Sequence, residues 1–220
     1  MNSLGGPVKR VILLVALLTG VFTAQSAHAL EFGFDVASEG LRSYTASANP
    51  WTANRTFGGV NLRGEVGFNP NWRLGFSWHY AGTDGNLHGM ATTTGRYDLT
   101  LDGRYRYPVL SWLVPYARAG IGVSRTHLTL PTWEGTNWTP QIQTGLGLEL
   151  LLPASVWSKK EDPLPSFGVF FEMGWQMVFD QDATLTATDT TQAGVQPSDL
   201  HLGTLSLNGL VLRFGAAVRF

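Results

Sequence analysis

The sequence predicts an all-β protein, an eight-stranded antiparallel up-and-down transmembrane β-barrel preceded by an export leader. Three observations carry this expectation. Eight segments alternate apolar and polar residues with period two, as half-buried strands do. Charge falls on one phase of that alternation. The connections between segments alternate between long and short.

The leader comes first. Lys9 and Arg10 supply a positive start, and Val11 to Phe22 is a twelve-residue apolar run broken only by Thr19 and Gly20. Ala27-His28-Ala29 has the small-x-small form of a cleavage site, with Ala27 and Ala29 as the small residues. The run is short for a spanning helix, which needs about 20 apolar residues. The expected division is therefore a cleaved signal over 1–29 and one barrel domain over 30–220.

Removing the leader takes two basic residues, leaving 13 basic against 16 acidic. That balance offers no basic face for nucleic acid. The chain has no cysteine. An exported chain without cysteine has no disulfide framework and no thiol ligand or nucleophile.

Each strand is read from its alternation. The first sets Phe32, Phe34 and Val36 against Glu31, Gly33 and Asp35. The second sets Val60, Leu62, Val66 and Phe68 against Asn61, Arg63, Glu65 and Gly67. The third is the clearest: Trp72, Leu74, Phe76, Trp78 and Tyr80 against Arg73, Gly75, Ser77 and His79. The fourth sets Tyr97, Leu99, Leu101, Tyr105 and Tyr107 against Arg96, Asp98, Thr100, Asp102, Arg104 and Arg106. In the fifth, Ala117, Ala119, Ile121 and Val123 oppose Tyr116, Arg118, Gly120, Gly122 and Ser124. In the sixth, Ile142, Leu146, Leu148 and Leu150 oppose Gln141, Gln143, Gly145, Gly147 and Glu149. The seventh sets Phe167, Val169, Phe171, Met173, Trp175 and Phe179 against Gly168, Glu172, Gly174 and Gln176. The eighth sets Leu210, Leu212, Phe214, Val218 and Phe220 against Arg213, Gly215 and Arg219.

Successive strand side chains point to opposite faces. Eight arginines and seven acids lie on the polar phase of these segments and none on the apolar phase. A water-soluble sandwich would also alternate. The aromatic residues favour a membrane barrel instead: Trp72, Trp78, Tyr80, Tyr105, Tyr107, Trp112 and Phe220 sit near segment ends, where interfacial girdles belong. The segments run about nine to eleven residues, the length a tilted spanning strand needs.

Connections follow the same logic. Glu39 to Thr56, Ala81 to Thr92, Thr126 to Thr139 and Asp180 to about Thr204 are read as long loops. Asn69-Pro70-Asn71 and Pro108 to Ser111 are short turns, and Pro153 to Ser166 is a medium one. Transmembrane barrels place short turns in the periplasm and longer loops outside. Lipid offers no partner to an edge strand's amides, so the sheet must close. With eight strands the lumen is just wide enough for side chains to fill.

The last segment, Gly209 to Phe220, resembles the C-terminal assembly signal of bacterial outer-membrane barrels. Those end in Phe with apolar residues at every second position before it, a series filled here by Leu212, Phe214, Ala216, Val218 and Phe220. The region after the leader looks like a small OmpA-, OmpX- or OmpW-type barrel. The resemblance implies integral residence in the outer membrane and contact with its lipids and lipopolysaccharide. It also implies handling by periplasmic chaperones and insertion by the barrel assembly machinery. The chain stops at Phe220, so no peptidoglycan-binding domain of the full-length OmpA kind is expected after the barrel.

Residues that could carry chemistry are mostly inward. The expected lumen network comprises Glu31, Asp35, Arg63, Glu65, Arg73, Arg96, Asp98, Asp102, Arg104, Arg106, Arg118, Glu149, Glu172, Arg213 and Arg219. Buried charges persist only when paired, so the set reads as a closing network of ion pairs. A gated polar conduit is the alternative. His79 shares the inward phase with Ser77, whereas His88, His127 and His201 are placed in outer loops without a metal-ligand spacing. Small-barrel lipid A deacylases set a His and a Ser on the outer wall, and no His-x-Ser-Asn pattern occurs here. No cofactor is expected. The leading expectation is a non-enzymatic envelope-structural or surface-interaction protein. A narrow OmpW-like pore for small solutes comes second, and a lipid A-modifying barrel enzyme third.

Overall fold

A computed structural model describes residues 30–45, 55–87, 89–152, 165–188 and 199–220. The expected leader, with Ala27 and Ala29, lies outside the described residues. Among the described residues ten strands follow one another: β1 Glu31–Ser43, β2 Thr56–Gly67, β3 Trp72–Leu87, β4 Met90–Arg106, β5 Leu113–Leu130, β6 Trp133–Leu152, β7 Ser166–Val178, β8 Gln181–Ala187, β9 Leu200–Leu205 and β10 Gly209–Arg219.

Eight of them make the wall. Strands β1 to β7 pair antiparallel in chain order, and β10 joins β7 to β1 and closes the ring. Closure gives every wall strand two partners, which the backbone requires where lipid surrounds it. The other two strands form a hairpin at the end opposite the termini, where β8 pairs with β6 at Trp133↔Ala187 and Glu134↔Thr186.

Register makes the membrane band visible. Trp72 faces Tyr105 with rings 5.0 Å apart, and Tyr80 faces Tyr97 at 4.8 Å. Between these two outward rows lie Leu74, Phe76, Leu99 and Leu101, all exposed. Eight strand residues at about 3.3 Å each, tilted about 40°, give a band of about 20 Å, near the apolar height such barrels carry. Exposed aromatic and aliphatic side chains over that height are stable only against hydrocarbon.

The wall strands are longer than the alternation of apolar residues predicts. Most of the expected loops 81–92 and 126–139 is strand, leaving only tight connections at the tips: β3 pairs with β4 up to Leu87↔Met90, and β5 with β6 up to Leu130↔Trp133, while residue 88 lies outside the described residues. The first strand likewise runs past Glu39 to Ser43, and part of the last expected loop is the β8–β9 hairpin. The cause is solvent. Above the aromatic row the outward face meets water, so it carries Thr, Asp and Gly, and the apolar signal fades although the ladder continues. The expected loops' residues 46–54 and 189–198, and residues 153–164 of the medium turn, lie outside the described residues.

Candidate functional site

The alternation that turns Phe76 outward turns Arg73, Ser77 and His79 inward, and the same holds around the ring. The result is a lumen dense with charge. Eight buried arginines face seven buried carboxylates among the described residues, because Glu39 joins six of the acids expected from the sequence, while the seventh, Glu31, is half exposed and reaches in only to Arg73.

Near the termini, Arg104 Nη2 donates to Asp35 at 2.9 Å and its Nη1 lies 3.2 Å from Glu65. Arg63 bridges Asp35, Glu65 and Asp102, the last at 2.7 Å. Arg73 joins Glu31 to Glu65, and Arg219 reaches Asp35, Glu65 at 3.2 Å and Glu149 at 2.7 Å. Arg106 also lies 3.3 Å from Glu149. One layer outward, Glu172 accepts from Arg213, from Arg118 at 3.3 Å and from the Tyr116 hydroxyl at 3.1 Å. Further out, Arg213 Nε donates to Glu39 at 2.6 Å, Arg96 donates to Asp98, and Gln176 donates to Asp98 at 3.1 Å.

Each of these carboxylates has an arginine partner, and each arginine a carboxylate. That satisfies the condition on which buried charge is tolerated, since an unpaired partner costs several kcal/mol. The glycines make it fit. A Cβ at Gly75 would fall on the Arg63 guanidinium, and one at Gly147 on the Tyr116 ring. Arg104 stacks over that ring at 4.3 Å.

Above the charges the lumen changes character. Leu41, Phe57, Leu128, Val178, Leu185 and Leu207 are buried together in an apolar cluster at the mouth opposite the termini. The β8–β9 hairpin supplies Ala183, Leu185 and Leu205, and Trp133 packs against the group from the rim. Sequence reading missed this cap because its residues are spread over eight strands and the connection after β9, inside stretches read as loops or strand ends. Glu39 was missed for a simpler reason. It continues the Asp35-Ala37-Glu39 phase past the last apolar outward residue of β1.

The histidines are placed as follows. His79 is buried between two carboxylates, with Nδ1 3.0 Å from Asp98 and Nε2 3.3 Å from Glu39. Ser77 does not touch it; its hydroxyl donates to Asp102 at 3.1 Å and accepts from Arg118 at 3.2 Å. His127 lies in β5 rather than in a loop, 2.9 Å from Thr136 Oγ1 on the outer wall. His201, in β9, is 3.1 Å from Thr184 Oγ1. His88 is outside the described residues. No group of three metal-ligating side chains converges among the described residues.

Comparison with known proteins agrees with this geometry. Among solved structures, OprG, an outer membrane protein of Pseudomonas aeruginosa, superposes with a TM-score of 0.54 at 13% identity, over 87% of this chain and 96% of that one. A major outer membrane protein from Thermus thermophilus gives 0.52 at 18% identity, over 88% and 100%. Neisserial surface protein A gives 0.51 at 12%, over 89% and 98%. At such identities the likeness is one of fold. Comparison with curated proteins gives no match. The family profile described as outer membrane protein beta-barrel domain matches residues 13–220. An aromatic-bounded apolar band, a closed eight-stranded wall and that match lead to one conclusion: the chain belongs to the outer membrane protein β-barrel family and is an integral outer-membrane protein.

Proposed function

We propose that this barrel is a closed, non-enzymatic scaffold that serves envelope structure or surface contact rather than solute passage. The filled lumen is the observation that carries the reading. A continuous ion-pair network occupies the inner part and an apolar cluster seals the outer mouth. An ion crossing it would have to break charge pairs and then pass a dry constriction, each costing several kcal/mol. The outer ends of β3 to β6, projecting beyond the aromatic row, offer the surface for contact.

Planar-bilayer recording tests it. The wild-type protein is expected to show no steady conductance. Leu185→Asp places a carboxylate in the apolar cap and is expected to produce open events. Steady conductance of the wild type, unchanged by Leu185→Asp, would support the narrow-pore reading instead.

A further inference from the structure

Between the charge network and the apolar cap, β4 and β5 carry three buried donors that the ion pairs leave over. Arg96 faces Thr126 across the β4–β5 ladder, and Asp98 faces Ser124. All four side chains are buried on the lumen side. Side chains opposed in this way stand about 5 Å apart at Cβ. Arg96 donates to Asp98 through Nε, at 2.9 Å, and through Nη2. Those two nitrogens form one edge of the guanidinium, so Nη1 points away from the carboxylate. Arg96 Nη1, Ser124 Oγ and Thr126 Oγ1 have no hydrogen-bond partner among the described residues.

The rest of the lumen is different. Arg73 Nη1, Arg104 Nη1 and Arg219 Nη2 also lack a well-formed hydrogen bond, yet each lies within 3.3 Å of Glu65 or Glu149. At the Arg96 corner the nearby carboxylate, Asp98, is already served: it accepts from Arg96 and from Gln176, and His79 Nδ1 lies 3.0 Å away. A guanidinium nitrogen can only donate, and both hydroxyls can turn to donate. A buried donor without an acceptor is costly, so the corner calls for an acceptor. Charge points the same way. Among the described residues the lumen buries eight arginines and seven carboxylates, which leaves one positive charge over. A monovalent anion balances that charge, and a water molecule does not. Leu128 and Leu130, the next inward residues of β5, belong to the cap or its rim and cover the corner, which suits a small ion rather than a large one.

We propose that Arg96 Nη1, Ser124 Oγ and Thr126 Oγ1 form a binding site for a monovalent anion of halide size, enclosed beneath the cap. Arg96 supplies the charge, Asp98 holds its fork in place, and the two hydroxyls complete the donor set. The site does not depend on whether the lumen conducts. An anion that binds the folded barrel and not the unfolded chain stabilises it in a concentration-dependent way.

The test uses wild type and Thr126→Val, each folded into phosphatidylcholine vesicles. Urea unfolding is followed at rising sodium chloride or sodium bromide, with sodium gluconate holding the ionic strength constant. Wild type should gain stability as halide replaces gluconate. Thr126→Val should need about ten-fold more halide for the same gain, the loss of one hydrogen bond to a charged partner. In gluconate alone Thr126→Val should be at least as stable as wild type, because it removes a hydroxyl that has no partner. Crystals of wild type grown in bromide should show anomalous scattering within hydrogen-bond reach of Arg96 Nη1. Equal halide dependence of the two proteins would overturn the proposal, as would a loss of stability by Thr126→Val to the same extent in every salt. A water molecule at that position, with no bromide signal, would overturn it too. If Thr126→Val does not fold, the bromide crystal alone decides.

Discussion

Removing Arg213 should harm this barrel more than removing Arg104, although both are buried and doubly paired. The difference lies in what each leaves behind. Arg213 is the arginine that holds Glu39, at 2.6 Å, and without it Glu39 keeps, among the described residues, only His79 at 3.3 Å. Glu172 keeps Arg118 and Tyr116. A buried carboxylate stripped of its partner costs about 3–5 kcal/mol, and Arg213→Ala should fall in that range. Arg104 leaves no such orphan. Asp35 retains Arg63 and Arg219, and Glu65 retains Arg63, Arg73 and Arg219. What is lost is the direct hydrogen bonding to charged groups, about 1.5–3 kcal/mol. Urea unfolding in phospholipid vesicles, followed by tryptophan fluorescence, ranks the two. Adding Glu39→Gln to Arg213→Ala should recover part of the loss, because the stranded charge is gone. An Arg104→Ala variant as unstable as Arg213→Ala, or a double variant worse than Arg213→Ala alone, would refute the pairing argument.

Phe76→Arg puts a cation on the lipid face mid-strand and should cost about 2–4 kcal/mol in vesicle unfolding; a neutral result would mean that the phase of β3 is wrong. Gly75→Ala should destabilise by driving a methyl into the Arg63 guanidinium, whereas Gly103→Ala, on the outer face with nothing within 4 Å, should be neutral or mildly stabilising. Equal effects of the two in the same assay would count against the packing of Arg63. The chain has no cysteine of its own, so single cysteines report topology. Asn86→Cys should react with an impermeant thiol reagent on intact cells and Asn71→Cys should not, and the reverse pattern would invert the orientation.

Much of the architecture was written in local pattern. The period-two alternation assigned Trp72 to Tyr80 and its counterparts to two faces, placed eight arginines and six of seven acids in the buried lumen, with Glu31 left half exposed, and set the eight wall strands in order. It succeeded there because lipid on one side and a narrow lumen on the other impose opposite demands on successive residues. The terminal series from Leu212 to Phe220 is local in the same way. The outer third of the barrel needed three dimensions. Beyond Tyr80 and Tyr97 both faces tolerate polar residues, so β3 and β4 continue through Thr92 to Thr94 without an apolar signal. Leu41, Leu128 and Leu185 become one cap only when closure brings distant strands together. Glu39 finds Arg213 across 174 positions of sequence. Gly40, Gly58, Gly82 and Gly95 look like isolated weak points of four strands until register lines them up, because register is set by pairing between strands and not by any one of them.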